Sequence, residues 1–294
     1  MRGLFLFLLI ALNLPAGTAS ALSVRDDYER EVRLAAPAAR VVSLAPHLTE
    51  LLYAAGAGER VVGAVEYSDF PLEAKALPRV GSSAGIDLEA VLALRPDLVV
   101  AWPDSSSERT LARLAALGLP VYRSEPRALE DIAHTLERLG RLTGSETAAT
   151  LAAQAFRERA AQLERRYAQR PSVRVFYEVW DRPLMTVNGE HVISKVLRLC
   201  GGRNVFANLP VLAPSIDREA VLRADPEVIV ASAPRGGRPA WLDAWSAYPG
   251  LAAAARGNLY ALAPELIQRH TPRLLDGAER LCAILEEARA KRRD

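Results

Sequence analysis

The chain has 294 residues, half of them hydrophobic, and its 37 Lys and Arg nearly cancel its 35 Asp and Glu, leaving a formal charge of +2. The basic residues, 34 Arg and 3 Lys, are spread among acids and form no block, which argues against nucleic acid as the main partner. Four His scattered without metal-ligand spacing argue against a zinc-capturing protein.

Arg2 supplies a positive start, Leu4–Leu12 an apolar stretch, and Ala19-Ser20-Ala21 a small-residue cleavage site before Leu22, the layout of an export signal over residues 1–21. The apolar stretch is too short to span a bilayer. No later segment reaches ~20 apolar residues, and no Cys stands at the cleavage point to take a lipid. An exported, soluble protein large enough for two domains is expected after cleavage at Ala21.

Next, Arg40–Leu44 reads as a strand, Leu48–Ala55 as a helix stopped by Gly56, and Val61–Val65 as a second strand. Asp87–Leu94 is a short helix and Leu98–Trp102 a buried strand. Glu108–Leu117, Val121–Tyr122 and Leu129–Leu142 continue as helix, strand and helix. Strands alternating with helices predict a mainly parallel sheet covered on both faces. Glu146–Arg170 lacks Gly and Pro over 25 residues, so a single helix of about 37 Å is expected, with Ser145 as its cap. A second series follows: strand Val173–Val179, helix His191–Cys200 before Gly201-Gly202, a helical Trp241–Ser246, strand Leu259–Leu262 and a terminal helix Pro272–Arg289.

The two series share a phrase. Asp87–Trp102 reads DLEAVLALRPDLVVAW and Asp217–Ser232 reads DREAVLRADPEVIVAS, identical at eight of sixteen positions and 130 residues apart. In each, an Asp caps a short helix, a Pro (Pro96, Pro226) ends it, and an apolar strand follows. That offset is too long for a solenoid. It predicts an α/β chain of two similar lobes, residues 22–144 and 171–294, joined by one long rigid helix at 145–170, with a ligand cleft between them. Cys200 and Cys282 are an even count in an exported chain, which reads as one disulfide; two buried thiols are the other option. A bond there would tie an early helix of the second lobe to the terminal helix, worth about 4 kcal/mol in the chain-entropy model.

The stretches RVVSLAPHLTELLYAAGAG, VEYSDFP, GIDLEAVLALRPDLVVAW and LCGGRNVF, with the paired cysteines, resemble the periplasmic substrate-binding proteins of the helical-backbone class (class III). These serve ABC importers of cobalamin, haem and ferric siderophores, and the similarity is greatest to the cobalamin (vitamin B12) binders. It spans Arg40 to about Leu285. The resemblance implies periplasmic capture of a corrinoid between the lobes and delivery to a dimeric inner-membrane permease. The binding protein would be monomeric, with cobalamin as cargo, no cofactor and no catalysis of its own.

The resemblance also implies roles. Glu89 and Glu219 match one docking glutamate per lobe, and both stand third in their phrases, where pseudo-symmetry suits a two-fold partner. Each would also favour its helix N-terminus. Tyr67 and Trp102 match aromatic positions of the cobalamin cleft. Glu265 and Arg269 match a late acid–base pair, with Glu where the family often has Asp. Ser83, Met185 and Ala213 stand where known cobalamin binders carry aromatics. Met185 still offers soft contact, Ser83 and Ala213 cannot replace an indole, and Phe70 and Trp180 are candidates for the missing surface. These departures keep haem or a ferric siderophore open as the alternative ligand. His47, at the loop after the first strand, is a candidate for approaching a ligand metal. Gly81–Gly85 formally fits G-x-S-x-G with Ser83 as a hydrolase nucleophile. That motif needs a strand before the Ser and a helix directly after it, and the text around Ser83 supplies neither.

Overall fold

The computed structural model describes residues 22–82, 84–103, 107–233 and 237–292. The export signal and its cleavage point lie outside the described residues. Among those described, no helix is long and apolar enough to cross a membrane.

The first half contains β1 (Leu22–Arg25), β2 (Glu31–Leu34), β3 (Val41–Ser43), α1 (Pro46–Ala54), β4 (Val61–Ala64), β5 (Gly81–Ser82), β6 (Gly85–Ile86), α2 (Leu88–Ala93), β7 (Leu98–Ala101), α3 (Glu108–Ala116), β8 (Val121–Arg123) and α4 (Leu129–Thr143). Helix α5 (Glu146–Tyr167) follows. The second half contains β9 (Val173–Glu178), β10 (Trp180–Asp181), β11 (Leu184–Met185), α6 (Val192–Leu199), β12 (Gly202–Asn204), α7 (Arg218–Ala224), β13 (Val228–Ser232), α8 (Ala240–Asp243), α9 (Ala252–Ala255), β14 (Leu259–Leu262), α10 (Pro264–Ile267) and α11 (Leu274–Ala290).

Each half builds one four-stranded parallel sheet. The orders are β4-β3-β7-β8 and β12-β9-β13-β14, so in both sheets the second strand lies outside the first and the third and fourth lie on its other side. The repeated phrase occupies equivalent positions: α2 then β7, and α7 then β13. Asp87 Oδ1 accepts from the Ala90 amide at 3.0 Å and Asp217 Oδ1 from the Ala220 amide at 2.6 Å, so both predicted caps form.

The strands are apolar on both faces because each sheet is covered twice. Leu98 and Val100, like Val228 and Val230, point into one cluster that runs through both lobes by way of α1, α4, α5, α6 and α11. Val99 and Ala101 point instead into a private core of the first lobe, and Ile229 and Ala231 into one of the second, built around Trp245. The lobes therefore share an uninterrupted apolar core.

Helix α5 is 22 residues, about 33 Å, and stops three residues short of the predicted Arg170. Ser145 does not cap it; its hydroxyl pairs with Thr143 Oγ1 at 2.9 Å. The helix lies between the lobes rather than merely linking them. Arg157 holds Glu130 (2.6 Å) and Glu137 of α4, while Arg159, about 200° further round the helix, holds Asp276 (2.7 Å) and Glu279 (2.9 Å) of α11. At the α4 contact a Cβ on Gly140 would stand 2.2 Å from Ala149 Cβ, so only glycine allows this approach. Cys200, at the end of α6, is bonded to Cys282 in α11 across 82 residues, the tie read from the sequence. The hairpin β1–β2 was not predicted; its exposed face is polar and its strands have four residues each.

Candidate functional site

The carboxyl ends of the two sheets face each other. Residues just beyond β14 and α10 touch residues just beyond β3 and β4. Arg269 donates from Nη1 to Glu50 Oε1 (2.7 Å) and Asp69 Oδ1 (2.9 Å), and from Nη2 to the Tyr67 carbonyl (3.1 Å). Ligands of open α/β sheets sit at this edge.

On the first lobe the edge is hollowed into a cavity of about 280 Å³, lined among others by Ala45, Pro46, Tyr67, Ser82, Ile86 and Trp102. It thus brings together the two predicted aromatics, which follow β4 and β7. Tyr67 is 72 % exposed and Trp102 46 %. Tyr67 has φ +62°, a left-handed conformation uncommon for a side-chain-bearing residue. Neighbours on both sides hold it there: the Glu66 amide donates to the Gly81 carbonyl at 2.9 Å, and Thr49 Oγ1 donates to Ser68 Oγ at 3.1 Å.

Beside Trp102 lies a row of imidazoles. His47 meets the indole edge-on at 5.5 Å between centroids, His270 is 6.0 Å from His47, and His191 is 6.3 Å from His270. The row crosses from α1 to the second lobe. Burial lowers all three, His47 to about 3 and His191 and His270 to about 4, so each is neutral near pH 7. His191 Nδ1 accepts from the Ile193 amide at 3.2 Å and so caps α6. Nε2 of His47 and of His270 is buried without a hydrogen-bond partner among the described residues. Among the described residues no group of three or more His, Cys, Asp or Glu is placed to hold a metal ion.

On the second lobe, the hairpin β10–β11 springs from the end of β9. Trp180 is 59 % exposed and pairs with Met185, which bridges to Ser215. Ala213 is exposed in the adjoining segment, where Val211 and Leu212 are also exposed. Sequence reasoning missed Val211 and Leu212, although two apolar residues in a Pro-flanked loop were a visible signal. Phe70, a predicted substitute surface, has the Arg273 guanidinium over its ring at 3.7 Å. Glu265 is half-buried in α10, one turn before Arg269. Glu50 and Arg273, also missed, join Arg269 in the contact between lobes.

Ser83 lies outside the described residues. The chain on either side of it, β5 and β6, forms a tight antiparallel pair, and α2 begins only at Leu88. Neither feature is the strand-to-helix elbow a serine hydrolase requires. Glu89 and Glu219 occupy the first turns of α2 and α7, and both are exposed.

The family model described as periplasmic binding protein matches residues 41–266. The vitamin B12-binding protein of Vibrio cholerae is 38 % identical over 252 residues, covering 86 % of this chain and 91 % of that protein. The crystal structure of periplasmic vitamin B12 binding protein BtuF of Vibrio cholerae superposes with a TM-score of 0.79 at 37 % identity, over 86 % of this chain and 98 % of that one. A periplasmic heme binding protein from Pseudomonas aeruginosa gives 0.70 at 28 %, over 84 % and 92 %.

Proposed function

The chain belongs to the periplasmic binding protein family, and we propose that it captures cobalamin in the cleft between its lobes and delivers it to an ABC permease. The observation that carries this reading is the pair of exposed rings, Tyr67 and Trp102, on one cavity at the carboxyl edge of a sheet. The whole chain is more similar to the vitamin B12 binders of Vibrio cholerae, at 37–38 % identity, than to the haem binder, at 28 %. A flat, largely apolar macrocycle needs aromatic surface and a few polar partners at its fringe. Trp180, Met185 and Ala213 offer further apolar surface on the second lobe, and Glu265 and Arg269 offer polar partners. A haem or siderophore ligand is not favoured.

The protein works in the periplasm as a monomer after removal of residues 1–21. It takes no cofactor and performs no covalent chemistry. Glu89 and Glu219, exposed on equivalent helices, dock onto basic residues of a dimeric permease. Calorimetric titration with cyanocobalamin, against haem and a ferric siderophore, tests the ligand: tight one-to-one binding of cobalamin alone is expected. Heat from haem or siderophore with none from cobalamin would refute it. Trp102→Ala should weaken corrinoid binding by about 1–3 kcal/mol. Joint reversal, Glu89→Arg with Glu219→Arg, should abolish the permease complex; an unaltered complex would remove both from the docking surface.

A further inference from the structure

Helix α1 buries Leu48, Leu51 and Leu52 completely, yet Glu50 between them is also buried, its side chain 2 % exposed. A lone carboxylate there would be expensive to desolvate, so it must be paired. Both partners come from the other lobe, 219 and 223 residues away in sequence. Arg269 donates to Oε1 at 2.7 Å. Arg273 forks across both oxygens, 2.7 Å to Oε1 and 3.0 Å to Oε2. The same two arginines reach further into the first lobe: Arg269 to Asp69 and the Tyr67 carbonyl, Arg273 to the face of Phe70. One segment of the second lobe thus grips α1 and the whole Tyr67–Phe70 stretch.

Buried ion pairs contribute little net stability compared with apolar packing, but they enforce one geometry, because any other leaves a charge unpaired. We propose that Glu50, with Arg269 and Arg273, forms an interlobe clasp that fixes the angle between the lobes and seats Tyr67 at the cleft, making Glu50 a positioning residue for ligand retention. The clasp deepens the cobalamin reading, since its effect on retention rests on it. The lobe angle does not. Loosening the clasp leaves the route into the cleft open while freeing one wall, so dissociation accelerates and association changes little.

The first measurement is made without ligand. Spin labels at Leu92→Cys and Arg223→Cys, on the equivalent helices α2 and α7, report the interlobe distance by pulsed electron resonance; the native cysteines are bonded to each other. A single narrow distribution is expected for the labelled protein, and a broader or longer one for Glu50→Gln. Stopped-flow fluorescence with cyanocobalamin should then show a dissociation rate at least fivefold higher and an association rate within twofold. Arg273→Lys, which keeps the charge and loses the fork, should broaden the distances in a chain that folds even if Glu50→Gln does not. Unchanged distributions in the folded variants would overturn the clasp. An unchanged dissociation rate despite broadened distances would overturn Glu50's role in ligand retention. Broadened distances in a protein that never binds cobalamin would instead retain the clasp and defeat the ligand reading.

Discussion

Acidification from pH 7 to 5 should strike the row of His47, His270 and His191 before other parts of the fold. A histidine whose folded-state pKa lies below its unfolded value binds fewer protons folded than unfolded, so stability falls as pH drops below about 6.5 and stops falling only near the folded pKa. With folded values of about 3, 4 and 4, the loss between pH 7 and 5 is about 1.8 kcal/mol per imidazole, about 5.5 kcal/mol in all. The surroundings agree with the sign. His47 faces Arg269 and His270, and His191 faces His270. Protonating His191 Nδ1 would also remove the cap of α6 and set a cation at a helix N-terminus. Only His270 has acids, Glu125 and Asp131, pulling the other way. Glu178 offsets part of the loss. Burial raises its carboxyl to about 7, so it costs stability as pH rises from 4.5 and gives back about 2 kcal/mol on acidification from 7 to 5. The net expectation is a fall of about 3 kcal/mol. Urea unfolding at pH 7, 6 and 5 measures it. The control is the triple variant His47→Gln, His191→Asn, His270→Gln, in which every other titrating group is unchanged and cancels. Parallel pH profiles for the two chains would refute the reasoning; divergence by several kcal/mol at pH 5 supports it.

Glu178→Gln keeps an acceptor for Trp245 Nε1, now 2.9 Å from Oε2, and removes the charge. It should raise stability at pH 8 by on the order of 1–3 kcal/mol and change little at pH 5, as read by denaturant midpoints. Gly140→Ala would ordinarily favour a helix by about 1 kcal/mol. Here Ala149 Cβ stands in the way at 2.2 Å on a rigid neighbouring helix, so thermal melting should show a net loss of about 1–3 kcal/mol. An unchanged or higher midpoint would mean that α4 and α5 can separate freely. Replacing both Cys200 and Cys282 by Ala should cost about 4.5 kcal/mol for a separation of 82 residues, read as the shift in urea midpoint against the oxidised protein.

The doubled architecture was legible because it is written in local chemistry. An Asp cap, a Pro stop and a four-residue apolar strand recur at a fixed offset, and each maps onto the same place in the two sheets. Gly56 ends α1 at φ +78°, a position its sequence context anticipated. The resemblance implied both aromatics of the first-lobe cavity, and Trp102 was also visible as the end of an apolar strand, whereas Tyr67 stood in a polar loop. What long-range packing decides was not legible. His47, His191 and His270 are spread over more than 220 residues, so no spacing rule unites them, and only the closed arrangement of the lobes makes them neighbours. Glu50 carried a weak signal, an acid within the apolar run of α1, but nothing local identifies Arg269 and Arg273 as its partners. The end of α5 was misplaced because Ala168 to Arg170 are good helix formers, and the turn there is imposed by the return of the chain into β9.

A rod gripped along its sides behaves differently from a hinge. Arg157 and Arg159 clamp α5 to α4 and α11 on opposite flanks, and the shared apolar core packs against the face between them through Ala149, Ala153, Phe156, Leu163 and Tyr167. Bending such a rod means disturbing both flanks and the packed face between them at once, so the two lobes are expected to move little relative to each other.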